Sequence, residues 1–110
     1  MSKFINISSA TTTTLVQPSS SATRGVNSKA ASNNYLISSI YIANNHTDNA
    51  DATLFVENIA DASIDYVIFK NVVIPPKTTF VWEHPFSFNI KKHTLKLTTV
   101  GTTSATVIIN

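Results

Sequence analysis

From Tyr35 to the end of the chain, short apolar and β-branched segments alternate with turn residues. The segments with strand character are, in order, YLISSIYIANN, DATLFVENI, DYVIFKNVVIPP, TTFVWEHPFSF, HTLKLTTV and SATVIIN. No segment has the spacing of about 3.6 residues that marks an amphipathic helix. The pattern predicts an all-β protein, a single antiparallel β-sandwich of jelly-roll type with about seven to eight short strands.

Two of these segments carry more detailed expectations. In YLISSIYIANN both faces are largely apolar, so we expect a central strand with one side on the core and the other partly covered. HTLKLTTV and SATVIIN are separated by Gly101-Thr102-Thr103, and we expect them to pair as a hairpin. The chain has only two glycines, so asparagines are expected to supply the left-handed backbone at several turns.

Residues 1–34 differ in character from the rest of the chain. KFINISS (3–9) and TTTTLVQP (11–18) are predicted strands, the second ending at Pro18, and 19–34 is a loop rich in serine, alanine and asparagine. We expect residues 1–34 to form an N-terminal strand and extended arm, packed on the protein's own sheet or on a neighbouring subunit. Residues 35–110 would form the sandwich body, and the whole chain one domain.

The composition is poor in charge. Of the 110 residues, 43% are hydrophobic and 13% are charged, which is about half the usual charged share. Threonine (15), serine (13) and asparagine (11) take the place of charged residues. Such a surface is buried against a partner without desolvating ions, a step that costs several kcal/mol for each ion. This favours a protein inside an assembly, although secreted adhesins share the composition.

The net charge of +2 is unevenly distributed, with all six acids within residues 48–83 and basic residues towards both ends. This arrangement fits head-to-tail contacts between copies, and it equally fits chance scatter among few charges. No basic stripe is interleaved with aromatic residues, so we expect no nucleic-acid binding. The sequence has no cysteine, its first residues lack the basic and apolar regions of a secretory leader, and no apolar run is long enough to span a membrane. We therefore expect a protein of an aqueous compartment with no membrane contact.

Candidate catalytic and metal-binding groups give little support to enzymatic chemistry. The Asn- and Asp-rich run 44–51 lacks the glycine and final glutamate of an EF-hand loop, so we interpret it as a structural turn. His46, His84 and His93 lack the spacing of a zinc site. Glu83 and His84 are neighbours on a predicted strand, where side chains point to opposite faces. We expect no enzyme, no metal and no cofactor.

Aromatic residues recur at even spacing around Pro85. Phe80, Trp82, Phe86 and Phe88 are expected to belong to the core, with a subunit contact or sugar binding as alternatives. A sugar-binding module would present Trp82 or Tyr35 to solvent on a concave face.

Over residues 35–83 the order of strands and loops resembles that of the small β-sandwich virion proteins of tailed bacteriophages, especially those of marine and cyanobacterial phages. The shared pattern is I-P-x-G-[ST]-[ST] followed by a hydrophobic run, and Ile74-Pro75-Pro76-Lys77-Thr78-Thr79-Phe80-Val81 stands in its place. Lys77 occupies the position that is usually glycine, so the turn must be made differently here.

The resemblance implies a non-enzymatic virion structural protein, assembled in the host cytoplasm, present in many copies and bound to capsid, neck or tail subunits. A capsid decoration or cement protein, or a neck-associated protein, is the leading expectation. The alternatives are a tail or baseplate component and a carbohydrate-binding or adhesin module. The residues expected at subunit interfaces are Phe4, Ile5, Ile7, Leu15 and Val16 in the arm, together with His46 and Lys77 in exposed loops.

Overall fold

The computed structural model describes residues 3–16, 34–101 and 104–110. Within these ranges all regular secondary structure is β, which confirms the all-β prediction. The ten strands are β1 (Lys3–Ile7), β2 (Thr12–Val16), β3 (Asn34–Ile37), β4 (Ile40–Asn44), β5 (Ala50–Asn58), β6 (Asp61–Ile74), β7 (Thr79–Trp82), β8 (Phe86–Asn89), β9 (His93–Val100) and β10 (Ala105–Ile109). The described ranges contain no helix capable of crossing a membrane.

The strands form two four-stranded antiparallel sheets and one two-stranded sheet. The first sheet has the order β1-β10-β4-β7, the second sheet has the order β2-β9-β5-β6, and β3 pairs with β8. Strand β3 directly precedes β4 along the chain, and β8 directly follows β7. The pair β3 and β4 and the pair β7 and β8 therefore each act as one strand that is broken once. This is the strand order of an eight-stranded jelly roll, the type of sandwich that the sequence predicted without its strand order.

The core lies between the two four-stranded sheets. In β4 and β10 every second residue is buried, and the intervening residues are half-buried. In the second sheet the same alternation holds over residues 50–57 of β5 and 95–99 of β9. Side chains that are fully buried include Ile40, Ile42, Val107 and Ile109 of the first sheet and Leu15, Leu54, Leu95 and Leu97 of the second. Because a strand turns alternate side chains to alternate faces, each sheet presents one apolar face to the other.

The segment predicted as one strand over 35–45 is broken at Ser38-Ser39. The backbone N–H groups of both serines donate to the carbonyl oxygen of Asn110, and Asn110 N–H donates back to Ser39. Ile37 and Ile40 are both fully buried although they are three residues apart. The break therefore shifts the alternation by one residue and keeps both isoleucines on the core. The prediction of a central position is confirmed for β4.

The predicted hairpin between HTLKLTTV and SATVIIN is wrong. The segments do form strands β9 and β10, but β9 pairs with β2 and β5 in the second sheet. Strand β10 pairs with β1 and β4 in the first sheet. The connection through Gly101 thus crosses from one sheet to the other. The turn between β5 and β6 is short, because β5 ends at Asn58 and β6 begins at Asp61.

The two N-terminal strands are integral parts of the sandwich rather than a free arm. Strand β1 is an edge of the first sheet, and β2 is an edge of the second. Two hydrogen bonds tie the end of β2 to other strands: Lys3 Nζ donates to the Leu15 carbonyl at 2.7 Å, and Thr94 Oγ1 donates to the Val16 carbonyl at 2.7 Å. Nearly all of the predicted 19–34 loop lies outside the described residues.

Three described residues have left-handed backbone, Asn71 (φ 52°), Lys77 (φ 60°) and Gly101 (φ 84°). Asn71 is the one described asparagine with this backbone, and it lies within β6 at a register shift rather than at a turn, so the expectation of several left-handed asparagines at turns is wrong for the described residues. A Cβ on Gly101 would lie 2.7 Å from the backbone oxygen of Asn49, so the crossing between the sheets requires glycine for two reasons. Lys77 makes its turn with left-handed backbone, a conformation that glycine adopts at lower cost.

Candidate functional site

Most of the predicted interface residues of strands β1 and β2 lie in the protein's own core. Ile7, Leu15 and Val16 are buried, and Ile5 is half-buried against the core cluster. These positions face inwards on the two edge strands, so the apolar character that suggested a docking arm serves intramolecular packing. Ile7, Leu15 and Val16 therefore offer no free surface to a partner, and Ile5 offers only part of its side chain.

Phe4 is different, because it points away from the core and is 69% exposed. The register of the first sheet aligns Phe4 with Ile108, Ile108 with Tyr41, and Tyr41 with Val81. We call these four side chains the apolar row. Val81 is also exposed, while Tyr41 and Ile108 are half-buried. The apolar row runs across all four strands on the solvent side of the sheet.

A second outward row lies beside the apolar row. The same register aligns Asn6, Thr106, Ala43 and Thr79, which we call the polar row. Thr106 Oγ1 donates to Asn6 Oδ1 at 3.2 Å and accepts from Asn45 Nδ2 at 3.1 Å. The two rows together form what we call the outer face, and none of their eight residues carries a charge.

The outward side of the second sheet has a different chemistry. Glu57 and Lys96 lie there and form an ion pair, with 2.9 Å between Lys96 Nζ and Glu57 Oε1. Asp51 is also on this side, between the exposed Val73 and Val100. The two sheets therefore present unlike surfaces, one uncharged and one mixed.

The two predicted loop residues, His46 and Lys77, are brought together at one end of the first sheet by Asn44. Asn44 is 1% exposed, its Nδ2 donates to the carbonyl oxygens of Asp48 (2.8 Å) and Ile74 (3.0 Å), and its Oδ1 accepts the His46 N–H at 3.0 Å. Lys77 N–H donates to the Asn44 carbonyl at 2.9 Å. One buried amide thus joins the 45–49 loop to the turn between β6 and β7.

His46 and Lys77 flank the polar row. Lys77 Nζ donates to the Asn45 carbonyl at 2.9 Å, and Asn45 in turn contacts Thr106 of the polar row. His46 Nδ1 accepts the Asp48 N–H at 3.2 Å, and this nitrogen is 3.6 Å from the Asp48 carboxylate. Three of the predicted interface residues therefore belong to the outer face or border it. Phe4 is part of the apolar row, and His46 and Lys77 lie at the rim.

The polar side chains of the 45–49 loop are engaged in local hydrogen bonds, as expected for a structural turn. In the described ranges no three His, Asp or Glu side chains come together in a group that could hold a metal ion.

The aromatic residues around Pro85 pack largely as predicted. Phe69, which is buried, contacts Phe80 at a ring-centroid distance of 5.2 Å and Trp82 at 5.3 Å. Tyr35 is buried and stacks on Phe88 at 5.6 Å. Trp82 is half-buried, and its indole Nε1 is buried and has no hydrogen-bond partner among the described residues. The exposed aromatic platform that the sugar-binding alternative requires of Trp82 or Tyr35 is therefore not formed.

Sequence reasoning missed three residues of the apolar row, Tyr41, Val81 and Ile108. Each lies between two inward-facing residues of its strand, so the apolar character of both strand faces was visible in the sequence. What the sequence did not reveal was the register that joins these residues to Phe4.

Comparisons with known proteins identify a fold but no family. No protein-family model matches the chain, and no curated protein matches it. Among solved structures, PirA is similar at 13% identity with a TM-score of 0.56, over 98% of this chain and 91% of the PirA chain. The structure of infectious bursal disease virus, Gt strain, is similar at 8% identity with a TM-score of 0.37, over 99% of this chain and 26% of that one. The likeness to PirA concerns the fold alone.

Proposed function

We propose that this chain is a non-enzymatic structural protein that binds other protein subunits in a large assembly through the outer face of its first sheet. The setting we propose is a bacteriophage virion, on the basis of the sequence resemblance over residues 35–83. A capsid decoration or cement protein, or a neck-associated protein, fits best, and a tail or baseplate position is the alternative. The protein would be assembled in the host cytoplasm and be present in many copies.

The observation that carries this proposal is the uncharged outer face. A sheet face that remains in water normally carries charged side chains on its solvent side, as the second sheet does with Glu57 and Lys96. The outer face instead combines the apolar row with the polar row, whose side chains are two hydroxyls, one amide and the methyl of Ala43. A partner covers such a face without desolvating any ion, and Lys77 and His46 supply a polar rim.

The occupant we propose for the outer face is a second copy of the chain. Two identical uncharged faces meet without like-charge repulsion, and sheets pack face to face at about 10 Å. Three of the four strands are five residues long and β7 is four residues long, so at a strand spacing of about 4.8 Å they make a flat footprint of about 310 Å². This is well below the roughly 800 Å² per partner of a stable complex. The contact is therefore weak for an isolated pair and effective when many copies are held together.

The proposed function is tested on particles from cells that make this protein. Particles are purified on a density gradient, and the chain is quantified by mass spectrometry across the fractions. We expect the chain to sediment with the particles at a fixed ratio to their major protein. Recovery of the chain only in the soluble fractions contradicts a structural role.

The role of the outer face is tested separately by sedimentation velocity of the purified protein over a range of concentrations. We expect the sedimentation coefficient to rise with concentration in the wild type and in Val100→Lys, which charges an exposed apolar position on the second sheet. Phe4→Lys should abolish this rise. Equal behaviour of the two variants, or no self-association of the wild type, contradicts the proposed use of this face.

A further inference from the structure

The open edge of β1 differs from the other edges of the two four-stranded sheets. Edge strands present unpaired N–H and C=O groups, and proteins usually protect them with bulges, lysines, prolines or very short strands. Strands β2 and β6 have register shifts, and β7 has only four residues. Strand β1 has a regular register and no proline, and its one lysine, Lys3, donates to the Leu15 carbonyl. Of these four edge strands, all of them described, β1 is the one without such a protective feature.

The hydrogen bonds around β10 show which backbone groups of β1 are free. Alternate residues of a strand direct their N–H and C=O groups to opposite edges. Asn110 N–H donates to the Ser39 carbonyl, beyond one end of β4. Asn45 N–H donates to the Ser104 carbonyl, beyond the other end. The even-numbered residues of β10 therefore face β4, and its odd-numbered residues face β1, where they are aligned with odd-numbered residues. The even-numbered residues of β1 turn their backbone groups to the open edge.

These free groups belong to Phe4 and Asn6. Within the part of the chain that the structure describes, no other backbone group bonds to them. Their arrangement is self-complementary in an antiparallel pair of two β1 strands that places Ile5 of one copy opposite Ile5 of the other. Phe4 of each copy then lies opposite Asn6 of the second copy, and the two residues exchange both N–H···O=C bonds. This register uses every free backbone group of the two strands, in four hydrogen bonds.

We propose that the edge of β1 is an interaction site for β1 of a second copy, paired antiparallel in this register. The half-buried Ile5 side chains would cover each other on the inner side of the sheet. The two Phe4 side chains would be diagonal neighbours on the solvent side, with about 7 to 8 Å between them, which is within reach for aromatic rings. The Cα atoms of the two Lys3 residues would lie about 14 Å apart, so no like charges meet.

The pairing also enlarges the outer face. It joins two first sheets into one sheet of eight strands, related by a twofold axis perpendicular to the sheet. Residues opposite each other in such a pair share one face of the sheet, so both outer faces lie on the same side. Their combined flat footprint is about 620 Å², much closer than a single face to the roughly 800 Å² per partner of a stable complex. This consequence rests on the proposed function, whereas the pairing does not require a covered outer face.

Asn6→Pro tests the pairing, and Asn6→Ala is its matched control. Both variants lose the side-chain amide that accepts from Thr106 Oγ1, but only proline removes the N–H at the open edge. Neither change removes a backbone bond to β10, so both variants should keep similar unfolding midpoints. In sedimentation velocity we expect Asn6→Ala to dimerise as the wild type does. Asn6→Pro should dimerise about thirtyfold more weakly, because two of the four bonds are lost.

The same experiment separates the pairing from the use of the outer face. Association that stops at the dimer and is weakened in Asn6→Pro supports the pairing and contradicts a contact between outer faces. Equal association of folded Asn6→Pro and Asn6→Ala overturns the pairing, and a loss confined to Phe4→Lys would then assign the association to the outer face. A wild type that stays monomeric overturns both.

Hydrogen exchange measured by NMR tests the edge without a variant. The amides of Phe4 and Asn6 exchange only in unpaired chains, so their exchange should be about fivefold slower when about four-fifths of the chains are paired. The control is the Val81 amide, which lies on the open edge of β7 because Asn44 N–H donates to the Thr78 carbonyl. Its exchange should not change with concentration. Dimer formation that leaves the exchange of Phe4 and Asn6 unchanged would overturn the proposal.

Discussion

The buried amide of Asn44 makes a quantitative prediction about how the outer face is held in place. Asn44→Ala removes two short donated hydrogen bonds, to the carbonyl oxygens of Asp48 (2.8 Å) and Ile74 (3.0 Å), and a longer one to the Pro75 carbonyl at 3.4 Å. It also removes the acceptor of the His46 N–H, at 3.0 Å. At about 1 kcal/mol for each of the three short bonds, the free energy of unfolding should fall by about 3 kcal/mol.

Urea unfolding monitored by Trp82 fluorescence measures this loss. With a slope of about 2 kcal/mol per molar, a loss of about 3 kcal/mol lowers the midpoint by about 1.5 M. The control is Asn45→Ala, because Asn45 is exposed and its amide makes one hydrogen bond, to Thr106 Oγ1 at 3.1 Å. We expect the control to lose less than about 1 kcal/mol. A midpoint for Asn44→Ala within error of the control would refute the assignment of Asn44 as the residue that joins the two loops.

Three further predictions concern backbone geometry and titration. Gly101→Ala should destabilise the protein by about 2 kcal/mol in the same assay, because it adds strain at φ 84° and a contact of 2.7 Å with the Asn49 oxygen. Lys77→Gly should be about 1 kcal/mol more stable than Lys77→Ala, since both lose the ammonium group and only glycine adopts φ 60° without strain. The pKa of Asp61 is held below its ordinary value of 3.8 because the hydroxyl and N–H of Ser63 donate to its carboxylate. Ser63→Ala should therefore raise this pKa towards 3.8 in an NMR titration. The stability contributed by these bonds is present above that value and is lost as the pH falls through the lowered pKa.

The strands were largely predictable because alternation of apolar and polar residues is a local signal. The break at Ser38-Ser39, and the sheet that each of β9 and β10 joins, depend on tertiary contacts instead. Around Gly101 the sequence looks the same for a hairpin turn and for a crossing between sheets. Which of the two forms depends on which other strands are available to pair with β9 and β10. Asn110 fixes the break through hydrogen bonds to Ser38 and Ser39, although Ser39 is 71 residues away in the sequence.

The outer face was predictable only in part. Phe4 was identified, but Ile7, Leu15 and Val16 were assigned to the same role because an apolar residue on an edge strand looks the same whether it faces the core or a partner. The apolar row exists only once four strands are placed in register. Its other members come from three distant parts of the sequence, so no local pattern joins them.

The central claim is that the outer face is covered by protein in the native assembly. Hydroxyl-radical footprinting, with oxidation quantified residue by residue, tests it most directly by comparing the free protein with assembled particles. Phe4 and Tyr66 are both well exposed, at 69% and 54%, and lie on different sheets. We predict that oxidation of Phe4 falls severalfold in the particle while that of Tyr66 is unchanged. Equal oxidation of Phe4 in the free and assembled states would contradict the claim.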